Sequence, residues 1–148
     1  MPLFPSVEWF KAVADLVNQD EAYRRLGTCD AKMGVQVGER LFEIDFEAYE
    51  VVNVRELDPG RPHDLDFTLV LPYEGWKEMI ENIRRHGKAD LSHTLNSIDL
   101  ATPEEFARSD DYYRRDLFYR YNQSLQHFFD TSAKIDTQFV DPAAVHRR

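Results

Sequence analysis

Between residues 31 and 46 the chain alternates apolar and polar residues twice, on either side of Gly38-Glu39. A two-residue period puts successive side chains on opposite faces, which admits strands and excludes helix. The reading is a β-hairpin with Phe42, Ile44 and Phe46 on one face. A further strand is expected over residues 51–56. Two prolines and a glycine in Asp58-Pro59-Gly60-Arg61-Pro62 then interrupt any ladder. A strand over residues 65–71 follows, with Leu65, Phe67, Leu69 and Leu71 on one face and Asp66, Thr68 and Val70 on the other. One side of the sheet is therefore apolar and needs a cover.

Helical spacing supplies that cover. Ser6 suits the cap of a helix carrying Val7, Phe10, Val13, Ala14 and Val17, with Trp9 beside them. Asp20 suits the cap of a short second helix over 21–26, stopped by Gly27. Pro72 opens a helix running to about His86, with Trp76, Met79, Ile80 and Ile83 as its inner stripe and Gly87 beyond its end. Residues 89–100 carry no clear period. Thr102-Pro103-Glu104-Glu105 reads as the start of a short helix, and Asp110 or Asp111 as the start of a long one. On that last helix Tyr113, Leu117, Tyr121, Leu125, Phe128 and Phe129 fall near one face, with Phe118 at its edge. The expected class is α+β: a mostly antiparallel sheet covered on one face by helices, ending in a long C-terminal helix. Residues 1–148 are expected to form one domain, with 136–148 a loose tail.

Charge and cysteine usage narrow the partners. The 27 acidic against 18 basic residues give a net charge of −9, a field that repels phosphate backbones, so nucleic acid is not expected as a partner. The lone Cys29 excludes an internal disulfide and favours a reducing cytoplasm. The start Met-Pro-Leu-Phe-Pro lacks a basic region and a long apolar run, and no stretch of apolar residues is long enough for a membrane span.

The motif search is equally exclusive. None of the six glycines forms a phosphate-binding loop, so no nucleotide cofactor is expected. His63, His86, His93, His127 and His146 are scattered, and with one cysteine they offer no metal set. The His63, Asp64 and Asp66 cluster reads as a solvated loop entering a strand. His127 and Asp130, three apart on a helix, read as surface contacts. Cys29 beside Asp30 has no neighbouring cation to make it a nucleophile, and residues 92–97 lack the Gly-x-Ser-x-Gly elbow. Apolar binding, by contrast, leaves no short motif. About 0.8 kcal/mol per buried methylene suffices to hold an alkyl chain without a single polar group. At 13% aromatic, with ten Phe and seven Tyr, the chain is rich in the rings such a wall would use.

The order of elements resembles the sterol carrier protein 2 family. The resemblance rests on the hairpin of residues 31–46 and on Asp64-Leu-Asp-Phe-Thr-Leu-Val-Leu71 running into Tyr73-Glu-Gly-Trp-Lys-Glu-Met-Ile80. The Trp9 helix and Asp20-Glu-Ala-Tyr23 add to it, so it spans roughly residues 6–86. It implies a five-stranded sheet, helices over one face, and an apolar tunnel between them for lipids or acyl chains. After the central helix, Gly87-Lys-Ala-Asp-Leu-Ser-His-Thr-Leu-Asn96 departs from the family's Gly-x-Leu-x-(Val/Ile)-x-Gly-Asp strand. The sheet is therefore expected to hold four or five strands, and the aromatic helix after Asp110 either replaces the tunnel's far wall or fills it.

The leading expectation is a non-catalytic binding domain for a lipid, fatty acyl or sterol-like molecule. Its expected lining is Phe42, Ile44, Phe46, Phe67, Leu69, Trp76, Met79, Ile80, Phe118, Tyr121 and Leu125. No cofactor or metal is expected. The competing readings are an accessory or interaction subunit, whose aromatic helix docks on a partner or on its own copy as a homodimer, and a small cofactor-free enzyme working through a histidine or carboxylate such as His63, Asp66, His93 or His127.

Overall fold

The amide of Trp9 donates to Ser6 Oγ at 3.0 Å and so caps α1 (Val7–Val17), whose buried stripe is Trp9, Phe10, Val13, Ala14 and Val17. This and the following geometry come from a computed structural model that describes residues 1–102 and 105–140. Before α1 runs a two-residue strand, β1 (Leu3–Phe4), and after it a single turn, α2 (Glu21–Arg24), capped by Asp20.

The two-residue period produces a meander of β2 (Ala31–Val37), β3 (Arg40–Glu47) and β4 (Glu50–Leu57), each antiparallel to the next. Gly38, at φ +60°, makes the first turn in a conformation that side chains with a Cβ adopt at a cost. β5 (Phe67–Leu71) joins the other side of β2 in parallel, and β6 (Ala107–Arg108) closes the sheet antiparallel to β5. The sheet thus has five strands in the order β4-β3-β2-β5-β6. The class is α+β as expected, and within this five-stranded sheet the antiparallel pattern holds for every pair except β2 with β5.

That parallel pair has a physical consequence. The chain must cross the sheet from edge strand β4 to β5, and the 58–66 connection does so over the outer face. A Cβ placed on Gly34 would lie 2.8 Å from Leu65 Cδ1 and 2.7 Å from Thr68 Oγ1, so only glycine lets the connection lie this close. The expected strand start at Leu65 is accordingly corrected. Leu65 is outside the ladder and packs on the Gly34 and Thr68 face, not with Phe67.

The inner face of the sheet carries Met33, Val35, Phe42, Ile44, Phe46, Phe67 and Leu69, all buried. α3 (Tyr73–His86) starts at Pro72, ends at Gly87 with φ +80°, and lays Trp76, Met79, Ile80 and Ile83 against that face. Residues 87–94 form turns and lead into α4 (Leu95–Ala101), so a helix precedes Thr102, which is its C-cap. Pro103 and Glu104 lie outside the described residues, and the chain just beyond them is extended into β6. The fifth strand therefore comes later and is shorter than the family pattern implies.

The single long C-terminal helix is also corrected. It divides into α5 (Tyr112–Arg120) and α6 (Asn122–Asp130) at Tyr121, whose φ and ψ are −103° and 18°. The break lets two apolar faces point differently. Phe118 on α5 meets Phe67 and Phe106, while Phe128 and Phe129 on α6 meet Phe46 and Trp76. Tyr113, expected on the inner face, is exposed. The tail is tied down as far as Val140. β7 (Gln138–Phe139) pairs in parallel with β1, Trp9 Nε1 donates to Thr137 Oγ1 at 2.9 Å, and Tyr73 OH donates to the Val140 carbonyl at 2.8 Å. Residues 141–148 of the expected tail lie outside the described residues.

Candidate functional site

Of the eleven predicted lining residues, Phe42, Ile44, Phe46, Phe67, Leu69, Trp76, Met79, Ile80, Phe118 and Leu125 are buried, and Tyr121 is half-buried against the same core. Their rings interlock. Phe10 lies 4.9 Å from Phe42, Phe46 is edge-on to Phe128 at 5.6 Å, and Trp76 touches both Phe106 at 5.8 Å and Phe129 at 5.5 Å. The seam between sheet and helices is thus occupied by the aromatic side chains of the C-terminal helices.

The seam has an opening beside it, between α3 and α4. Leu71, Gly75, Glu78 and Met79 form one side of a cleft of about 310 Å³, and Ser92, His93, Ile98, Ala101 and Thr102 form the other. Of the predicted lining residues only Met79 reaches it. The 87–94 turn that builds the far side is fixed by Asn82, a buried amide on α3. Asn82 Nδ2 donates to Asp90 Oδ2 at 2.8 Å, and the Asp90 amide donates to Asn82 Oδ1 at 2.9 Å. Thr94 then caps α4 by accepting from the Ser97 amide at 3.2 Å.

His93 stands at the polar rim. Its Nδ1 is 2.7 Å from Asp90 Oδ1 and its Nε2 is 3.1 Å from Glu78 Oε2. Ser92 Oγ donates to the same Asp90 oxygen at 2.9 Å. The His93 ring, with Asn82 and Ser92 behind it, holds the Asp90 carboxyl well below the usual carboxylate range. Serine, histidine and aspartate meet here, but Ser92 and Asp90 share the Nδ1 side of the ring. A serine nucleophile needs its base on the opposite nitrogen, with the carboxylate behind. The arrangement therefore fixes the imidazole over the cleft and does not activate Ser92.

The other sequence candidates are committed to structural contacts. His63 Nε2 lies 2.6 Å from the Asp58 carbonyl in the 58–66 connection. Asp66 accepts from the Lys32 amide at 2.7 Å and from Arg114 Nε at 2.8 Å. His127 reaches Asp20 Oδ2 at 2.7 Å and not Asp130, whose Oδ1 accepts from the Ala89 amide at 3.0 Å. Burial pushes the Cys29 thiol up to about 12, with Asp30 adding to the effect, which leaves it an inert core group. Sequence reasoning missed Leu71, Gly75, Ile98, Ala101 and Thr102. The available signal was Thr94 followed by Leu95 and Ile98, a capped helix only seven residues long in a stretch without an evident period.

No protein-family model and no curated protein matches the chain. Two solved structures are similar in fold. The crystal structure of sterol carrier protein 2 superposes with a TM-score of 0.63 at 14% identity, covering 87% of this chain and 96% of that one. The solution structure of a conserved hypothetical protein from Thermus thermophilus, described as possibly a sterol carrier protein, superposes with a TM-score of 0.57 at 15% identity, covering 93% and 92%. The chain has a sterol-carrier-like fold. No helix among the described residues is long and apolar enough to cross a membrane.

Proposed function

We propose that the chain is a non-catalytic binding or carrier module for an apolar small molecule of the lipid, fatty acyl or sterol-like class. The observation that carries this reading is the cleft between α3 and α4, whose walls include Leu71, Met79, Ile98 and Ala101 and which reaches the ring-filled seam at Met79. Its volume falls at the lower end of the roughly 300–1,000 Å³ typical of small-molecule sites. A longer ligand would enter here and displace rings inward, so that Phe67, Leu69, Trp76, Ile80 and Phe118 become the deeper wall. The sterol-carrier-like fold supports the reading, and the buried thiol of Cys29 agrees with a cytoplasmic setting.

Titration with a fluorescent long-chain fatty acyl probe tests it, read as probe emission and as a rise in melting temperature. Saturable binding that Ile98→Glu weakens by about tenfold is expected, since a charge at the wall must be desolvated. No saturable binding, or binding indifferent to Ile98→Glu, overturns the reading.

The second reading, an interaction subunit or homodimer built on the aromatic helix, draws on Tyr112 and Tyr113, which are 85% and 89% exposed at the start of α5. Sedimentation velocity of the protein beside Tyr112→Ser/Tyr113→Ser decides it, a dimer lost in the variant being its expected signature.

A further inference from the structure

The polar rim of the α3–α4 cleft is rich in hydrogen-bond acceptors and poor in donors. Ser92 Oγ donates to Asp90 Oδ1 at 2.9 Å and Thr102 Oγ1 donates to the Ile98 carbonyl, so both hydroxyls have spent their protons and keep only lone pairs. The backbone amides of Gly75, Ser92, His93, Ile98 and Thr102 are likewise paired within the fold, at 2.9–3.0 Å. Glu78 adds a carboxylate that is 73% exposed. His93 is the side-chain donor that remains on the wall, and its ring is held from both sides, Nδ1 by Asp90 at 2.7 Å and Nε2 by Glu78 at 3.1 Å.

The rim is also without a cation to spare. Among the described residues the wall contains no lysine or arginine. Glu78 and Asp90 against the one His93 ring leave a charge of −1 even with that ring protonated. Residues 71–102, which build both walls, carry five acids, Glu74, Glu78, Glu81, Asp90 and Asp99, against the four bases Lys77, Arg84, Arg85 and Lys88. Lys77 lies over the Phe139 ring, and Arg84 pairs with Asp136. Arg85 is two helical turns beyond Glu78, roughly 10 Å along the axis. Lys88 follows the end of α3.

We propose that the cleft selects a long-chain or sterol-like molecule whose polar head is an uncharged hydroxyl, and that it discriminates against carboxylate and phosphate heads. This rests on the apolar-ligand reading above and narrows it. The hydrocarbon lies on Leu71, Met79, Ile98 and Ala101, and the head stays at the rim. A hydroxyl matches the Glu78–His93 pair from both sides, because it donates to the carboxylate and accepts from the ring. A carboxylate meets acceptors and a like charge there, which costs affinity twice. An ester escapes the repulsion but cannot donate, so it falls between the two.

Dodecanol, methyl dodecanoate and dodecanoate differ in the head and share the chain. Competition of each against a bound, esterified fluorescent acyl probe at about pH 8, where the acid is ionised, tests the proposal. Dodecanol is expected to bind about tenfold tighter than the ester and about a hundredfold tighter than the acid. Glu78→Gln removes the charge and supplies an amide donor, so it should raise acid affinity about tenfold and leave that of the alcohol within about twofold, at an unchanged melting temperature. Three results overturn the head preference and leave the apolar-ligand reading standing: acid as tight as alcohol, ester as tight as alcohol, or a Glu78→Gln variant that shifts acid and alcohol by the same factor. A chain that binds neither the probe nor any of the three overturns both.

Discussion

The indole of Trp76 lies nearly parallel to the ring of Phe129, centroids 5.5 Å apart and planes 25° apart, so that α6 is fastened to the first turn of α3. The indole N–H also donates to the Gln36 carbonyl on β2 at 2.7 Å, which anchors the pair to the sheet. Truncating Phe129 to alanine is therefore expected to cost about 3–5 kcal/mol, measured by urea unfolding. The vacated space adjoins the seam. At temperatures where the variant stays folded, acyl-probe affinity should hold or rise, and a fall would show that ligands do not reach this depth.

Asp45 on β3 points to the outer face, with Oδ1 buried and unpartnered and Oδ2 accepting from Asn53 at 3.2 Å. Burial, followed by the adjacent Glu43 carboxyl, raises its pKa from 3.8 to about 6. A raised carboxyl pKa means the fold binds this proton more tightly than the unfolded chain does. Its contribution is present below 3.8 and is lost as pH rises through about 6. Asp45→Asn is expected to stabilise the protein by about 1 kcal/mol at pH 7, allowing for solvent screening, with the gain vanishing near pH 4 in paired urea titrations.

Asp20 works in the opposite direction. It accepts from the Ala22 amide at 2.9 Å, capping α2, and from His127 on α6 at 2.7 Å. The hydrogen bond from His127 outweighs burial and lowers the Asp20 pKa below 3.8. This stabilisation is present above the ordinary carboxylate range and is lost as pH falls through the lowered value. Asp20→Ala should cost about 1–2 kcal/mol at pH 7, and thermal melts should show the difference shrinking in acid.

Gly34→Ala would place a methyl group into Thr68 and Leu65, on the face crossed by the 58–66 connection. The expected loss is about 1–3 kcal/mol. Hydrogen exchange should also quicken at the Asp66 amide, which donates to the Lys32 carbonyl at 2.9 Å. Unchanged exchange there would mean the connection yields without strain.

The strands were legible where alternation was strict, and α1 and α3 where an apolar stripe met a cap. Phe42, Phe67 and Trp76 were drawn to one interior because period alone decides which face is buried. The break at Tyr121 was not legible, since both halves keep a helical period and only the divergence of Phe118 from Phe129 in space reveals it. β6 escaped notice because two residues carry no period. The cleft was missed for a related reason: its walls come from α3 and from a seven-residue helix, and their meeting depends on the Asn82–Asp90 pair, a contact across a turn that no spacing rule encodes.

The pairing of Leu3–Phe4 with Gln138–Phe139 also bears on how the molecule is assembled. Trp9 satisfies its indole N–H on Thr137, 128 residues away, and the Val140 amide donates to the Phe4 carbonyl at 3.2 Å. During synthesis the first helix must therefore wait with an unfinished end until residues 137–140 have left the ribosome. Contacts of such long sequence separation slow folding. Residues 137–140 act as a latch, and until they emerge Phe4 and Trp9 stay open to a chaperone.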